Sequence, residues 1–205
     1  IEIDGVTGSG LHEEGFAYCW SGARANIGIR GGKYCFGCTV LEKQDVTMEE
    51  TSMDQRNICR VGFSAGDTDV GSLGECLYSF GYGGTGKFSS NGVFTSYGEK
   101  FGVGDTIICA VDLQNRSKAT LSFAKNGVLL GIAQVFDASS FETGLFPHVL
   151  LKNVKVKVLL SINDGLVPLD GYKSWDCAID EGNYEIGPSP EKECEVLMMV
   201  GLPGS

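Results

Sequence analysis

Apolar and polar residues alternate along most of this chain with a period of two, the spacing of half-buried strands. Tyr34, Phe36, Cys38 and Val40 fall on one face of a run that begins at Lys33. Leu121 and Phe123 alternate with Thr120 and Ser122, and Val154, Val156 and Val158 alternate with Lys155 and Lys157. Such strands have one dry face and one wet one. The run from Thr106 to Leu113 is apolar on both faces near its centre, as a strand covered on two sides would be. Asn91-Gly92 and Asn126-Gly127 supply the positive φ angles of tight hairpins. Asp164-Gly165 and Asp170-Gly171 mark further turns. No stretch sustains a 3.6-residue period with caps. Met48 to Asn57 is polar and acidic, and is expected to be an exposed connector with a helical turn at most. The pattern predicts an all-β protein, an antiparallel β-sandwich.

Composition changes the picture at the C-terminal end. The chain has 205 residues, 30 of them Gly, about twice the usual share of ~7%. They follow no repeat, so they read as turn chemistry. From about Gly165 the chain gains Pro, charge and turn pairs. The expected division is a sandwich over 1–165, an extended segment and linker over 166–194 packing on it through Trp175, and the first strand of another domain over 195–205. Glu195 to Ser205 is a hydrophobic strand running into a Gly-rich turn. Gly201, Gly204 and Ser205 would open a P-loop, whose second glycine, lysine and hydroxyl are not in this sequence. With Ile1 first and no basic-then-apolar leader, the chain is expected to come from a longer protein. Apolar runs of a few residues give no membrane span.

A net charge of -10 is the wrong sign for a nucleic-acid surface. The short basic groups Lys152, Lys155 and Lys157, and Arg24 and Arg30, read as solvated strand edges and loops. The cysteines Cys19, Cys35, Cys59, Cys76 and Cys109 sit among apolar or strand-like neighbours and read as reduced, small hydrophobes. Cys35 and Cys38 form a C-x-x-C, but in a strand they point to opposite faces, and no second ligand pair follows. No cofactor or metal is expected. Gly62-Phe-Ser-Ala-Gly66 matches the G-x-S-x-G nucleophile elbow, with Ser64 as nucleophile and His148 downstream. The helix that the elbow requires is missing, because Gly66 to Gly71 reads as a loop. His148, behind Pro147, reads as a buried structural histidine. Gly81-Tyr-Gly-Gly-Thr-Gly86 matches the dinucleotide fingerprint without its βαβ setting. No catalytic residue is assigned.

Five stretches carry a resemblance: Gly32-Lys-Tyr-Cys-Phe36, Cys59-Arg-Val-Gly-Phe-Ser64, Tyr97-Gly-Glu-Lys-Phe-Gly-Val-Gly-Asp105, Leu121-Ser-Phe-Ala-Lys-Asn-Gly127 and Leu145-Phe-Pro-His-Val149. Together they resemble a SPRY domain, and more narrowly that of the heterogeneous nuclear ribonucleoprotein U family. The resemblance implies a bent sandwich with a C-terminal extension, a nuclear location, and binding of a peptide or folded protein partner through loops at one end, with no reaction. It further implies that RNA or DNA is bound only through a SAP-type segment and an Arg-Gly-Gly tail that this sequence lacks, and that nucleotide binding belongs to the P-loop domain that follows.

Loops on rigid sheets are where recognition is expected. Asp67, Thr68 and Asp69 form a short acidic loop suited to basic ligands. Tyr82 beside Gly83, and Phe94 with Tyr97, either offer aromatic surface next to it or pack inward as minor core. Trp20 is expected in the core.

Overall fold

A computed structural model describes residues 1–188; Glu195 to Ser205, with the expected P-loop residues Gly201, Gly204 and Ser205, lies outside them. Fifteen strands form among the described residues: β1 (Thr7–Ser9), β2 (Ser21–Arg24), β3 (Ile27–Gly28), β4 (Lys33–Lys43), β5 (Ile58–Ala65), β6 (Ser79–Gly83), β7 (Lys87–Ser90), β8 (Val93–Ser96), β9 (Thr106–Asp112), β10 (Ala119–Lys125), β11 (Val128–Phe136), β12 (Leu145–Lys152), β13 (Val154–Leu159), β14 (Lys173–Ser174) and β15 (Glu185–Ile186). Sheet one runs β1-β13-β4-β9-β10-β11, with β14 added to β4, and sheet two runs β2-β12-β5-β6-β7-β8. Among the described residues all strand pairings are antiparallel except the two-residue match of β14 to β4. The α-helices there are single turns, α1 (Met53–Arg56) and α2 (Cys177–Asp180).

The alternating residues meet between the sheets. Tyr34, Phe36, Cys38 and Val40 from sheet one face Cys59, Val61, Phe63, Phe80 and Tyr82 from sheet two in one buried cluster. In β9, Ile107, Cys109 and Val111 enter that core. Ile108 and Ala110 face the other way, into a second cluster with Cys35 and Leu166. The doubly apolar pattern of this strand thus has a cause: the chain after β13 lies on its outer side. Farther along, Trp175 packs against both Phe36 and Phe63, with ring centroids 6.1 and 5.7 Å away. Its indole Nε1 donates to the Ile27 carbonyl at 3.0 Å, so its polar edge is satisfied inside the core.

Asn91-Gly92 joins β7 to β8 and Asn126-Gly127 joins β10 to β11, all four residues at positive φ. Asn153 makes the turn by which the chain passes from sheet two to sheet one. Its side-chain amide donates to the carbonyls of Ala17 and Arg56, both at 2.8 Å.

Three expectations need correction. Met48 is buried, not part of an exposed connector, and packs beside the Asn153 amide. Cys19 is exposed, because it caps a 3-10 turn (Glu14–Tyr18) at the surface rather than sitting in a strand. Trp20 is only half-buried and lies on the outside of sheet two.

Candidate partner-binding face

Sheet two is large-residued inside and small-residued outside. In β5, Cys59, Val61 and Phe63 enter the core, which turns Arg60, Gly62 and Ser64 outward. In β6, Phe80 and Tyr82 point in, leaving Gly81 and Gly83 outside. The segment between these strands, residues 66–78, folds back over the outer face as a strap. A side chain at Gly22 would run into the Val70 carbonyl. A Cβ at Gly81 would press on the Arg60 stem and on Leu73. The first glycine of the dinucleotide-like motif thus lies under the Arg60 stem and Leu73, and the G-x-S-x-G motif places Ser64 against His148.

One end of the strap is pinned by Arg24. Its Nη1 donates to the carbonyls of Ala65 at 2.9 Å and Thr68 at 2.8 Å, and its Nη2 to that of Gly66 at 2.8 Å. Beneath it, Ser64 Oγ lies 2.8 Å from His148 Nδ1, and His148 Nε2 lies 2.9 Å from the Val70 carbonyl. A carbonyl can only accept, so Nε2 carries the proton and Nδ1 accepts from the serine hydroxyl. Burial pushes the His148 pKa down to about 4; the nearby Arg24 cation adds to this, and the Val70 bond and Asp69 oppose it. Ser64 and His148 thus have the spacing of a nucleophile and its base, yet both are sealed from solvent. The pair latches the strap.

This end does not present the expected acidic surface in full. Thr68 turns inward, donating to the Ala65 carbonyl and accepting from Arg24. Asp67 and Asp69 are exposed. Burial lowers the pKa of Arg24 while the charges of Asp67 and Asp69 oppose that shift, so the loop already has a cation beside it.

The other end is held by Arg60. Its Nη1 donates to the Leu73 carbonyl at 2.6 Å and to Glu75 Oε1 at 2.8 Å. The guanidinium faces two rings, Trp20 at 5.2 Å and Phe94 at 5.1 Å from their centroids, a cation–π arrangement on two sides. Around this group opens a pocket of about 380 Å³ that also reaches Gly83, Lys87, Lys100 and Asp54.

Of the expected contact residues, Gly83 and Phe94 line this pocket, while Asp67 and Asp69 lie at the strap's far end. Tyr82 and Tyr97 pack inward. Tyr82 has no exposed surface; its hydroxyl donates to the Glu99 carbonyl, and its ring packs on Tyr97, Phe101 and Phe123 at 5.5, 5.1 and 5.3 Å. The alternation that buries Phe80 buries Tyr82 with it, and burial pushes its pKa up to about 12. The Tyr97 hydroxyl donates to the Gly131 carbonyl and accepts from the Phe123 amide.

Trp20, Arg60, Lys87 and Lys100 were not expected at a site. The legible signal was Arg60, a lone cation within the apolar run Cys59-Arg-Val-Gly-Phe63. The C-x-x-C cysteines lie in separate clusters on opposite faces of β4. Burial pushes the Cys35 pKa up to about 11. Cys109, in the main core, is shifted well above its ordinary value by burial too.

The class defined by this geometry is a two-sheet antiparallel sandwich with one face strapped by a loop beside a shallow pocket. The chain belongs to the SPRY domain family, whose sequence model matches residues 45–163. It is 35% identical, over 100% of its length, to heterogeneous nuclear ribonucleoprotein U-like protein 2 of Mus musculus and of Homo sapiens, covering 28% and 27% of those proteins. The ATP-dependent RNA helicase Ddx1 of Drosophila melanogaster is 39% identical over 67% of the chain, which covers 17% of the helicase. The chain therefore spans under a third of the length of these relatives. Among solved structures, a human SPRY domain superposes with a TM-score of 0.59 at 19% identity, over 78% of this chain and 94% of that one. The SPRY domain of human HERC1 gives 0.58 at 20% identity, over 78% and 91%. No helix among the described residues is long and apolar enough to cross a membrane.

Proposed function

We propose that this chain is a non-catalytic protein-interaction module of a nuclear, RNA-associated protein, and that its partner docks on the outer face of sheet two beside the strap. The supporting observation is the pocket at the Arg60 end. It is concave, it is walled by Trp20 and by the 46%-exposed Phe94, and it opens beside a framework of fixed hydrogen bonds. Aromatic side chains on a rigid base are the usual anchors of a recognition surface. Asp67 and Asp69 are outlying contacts in this reading. The sealed Ser64–His148 pair leaves no room for an acylated intermediate, so no hydrolytic step is assigned to it. Nucleotide binding through Gly201, Gly204 and Ser205 belongs to the complete protein.

The test is capture from nuclear extract on the immobilised chain, with and without nuclease, read by mass spectrometry. Partners that survive nuclease and are lost from a W20A/F94A variant with an intact melting transition are the expected result. Equal capture by that variant would remove the pocket from the reading, and loss of every partner after nuclease would replace protein recognition with an RNA bridge.

A further inference from the structure

We infer that the pocket at the Arg60 end takes the carboxylates of an extended acidic segment of a partner protein; this rests on reading that pocket as the docking site. The chain as a whole is strongly acidic, yet Arg60, Lys87 and Lys100 converge on this one concavity, where Asp54 is the single carboxylate in the lining. Elsewhere Lys33 pairs with Asp112, Lys125 with Glu99 and Asp105, Lys155 with Glu2 and Lys173 with Glu181. Lys43, Lys118, Lys152 and Lys157 form no ion pair with the described residues but do not line this pocket. Among the described residues, neither Lys87 nor Lys100 has a carboxylate within 4.0 Å. Arg60 uses Nη1 alone for the strap, and its Nη2 and Nε make no hydrogen bond to the described residues. A guanidinium with a free edge is suited to a two-oxygen acceptor such as a carboxylate.

Two observations favour an acidic peptide over RNA. One face of each of the Trp20 and Phe94 rings is already taken by the Arg60 guanidinium, which reduces the surface on which bases would stack. The three cations also converge on one pocket instead of forming a track. Glu75, which holds the strap, is paired with Arg60 beside the pocket. Backbone phosphates need cations in series along their path. A peptide segment needs them only where its carboxylates enter the pocket.

Trp20 and Trp175 are the two tryptophans of the chain, and Trp175 is buried in the core, so a ligand at the pocket is read through Trp20 emission. The probes are a decapeptide of alternating Glu and Ser, its Gln/Ser counterpart and an oligouridylate decamer. The Glu peptide should perturb the emission, bind about tenfold more weakly to K87Q/K100Q, and weaken as salt rises from about 0.1 to 0.5 M. The Gln peptide should bind about tenfold more weakly than the Glu peptide. Equal binding of the Gln peptide, an indifferent K87Q/K100Q variant, or displacement of the Glu peptide by lower concentrations of the oligouridylate would overturn the inference. If extract partners are lost on W20A/F94A while the Glu peptide gives no response, the docking reading stands and the acidic ligand falls. If the partners persist on W20A/F94A, the docking reading falls first.

Discussion

Arg24 and Arg60 hold opposite ends of one strap on one face of one sheet, and they hold it differently. Arg24 directs its guanidinium at three backbone carbonyls and lies above a sealed serine–histidine latch. Arg60 gives one nitrogen to the strap and keeps its remaining edge at a pocket between two rings. A cation with both terminal nitrogens on protein carbonyls fixes structure and has less left for a ligand. One with free donors and aromatic walls can do both. The difference teaches that cationic character alone does not mark a site; the state of the donors does.

The sharpest way to break the comparison is to remove each guanidinium. R24M leaves the Gly66 and Thr68 carbonyls without a donor, whereas the Ala65 carbonyl keeps its bonds from Thr68. At roughly 1.5 to 2 kcal/mol for each unpaired acceptor of a charged donor, this should cost about 3 to 4 kcal/mol. For a chain of this size that is a fall in Tm of about 10 °C. R60M removes one carbonyl contact and an ion pair to a half-exposed Glu75, and should cost about 1 to 2 kcal/mol. Chemical denaturation of both variants checks the order; equal losses would mean that Arg60 fixes the strap no less firmly than Arg24 does.

Acid sharpens the contrast next, because a buried titrating histidine belongs to the Arg24 end alone. Between pH 6.5 and about 4 the unfolded chain takes up a proton at His148 that the folded chain refuses. Stability is therefore full above pH 6.5, falls as the pH drops through that window, and levels off below it for this group. The drop from 6.5 to about 4 corresponds to about 3 kcal/mol. H148Q should flatten that part of the profile in urea melts collected from pH 7.5 to 4. An unchanged slope would assign the acid sensitivity to carboxylates. S64A is the milder probe of the same latch. It removes the donor to Nδ1, should cost about 1 to 2 kcal/mol, and should leave the Glu-peptide affinity untouched.

The sheets were legible and the strap was not, for a physical reason. Strand pairing shows as alternation because each residue's burial depends on its immediate neighbours in the chain. Phe36, Phe63 and Val156 are inside, and Lys155 and Lys157 outside the core, on that rule alone. Even the doubly apolar β9 announced a second cover, which Leu166 and its neighbours provide. At the Arg24 end the strap rests on contacts between residues 40 or more apart, Arg24 with Ser64 to Thr68 and His148 with Val70. At the other end it rests on Arg60 reaching Leu73 and Glu75, 13 and 15 residues on. Nothing local encodes them. What the sequence did show was their imprint, small residues at Ser64 and Gly81, within motifs that share their spacing with catalytic loops. The sequence left Phe94 and Tyr82 open between surface and core; the structure separates them because β8 is an edge strand and β6 an interior one.

The smallest effect expected is at the acidic residues that the sequence made most conspicuous. Asp67 and Asp69 are exposed, and Arg24 stands beside them, so D67N/D69N should change stability by no more than about 0.5 kcal/mol. Their effect on partner capture should be under about twofold, well below that of W20A/F94A. If the same partner carries an acidic segment, removing these two charges should strengthen its binding slightly, through lower repulsion at long range, and the gain should vanish at high salt. Weaker capture by D67N/D69N at every salt concentration would show instead that the partner brings a basic group to the Arg24 end, and that the two ends of the strap divide a bipolar ligand between them.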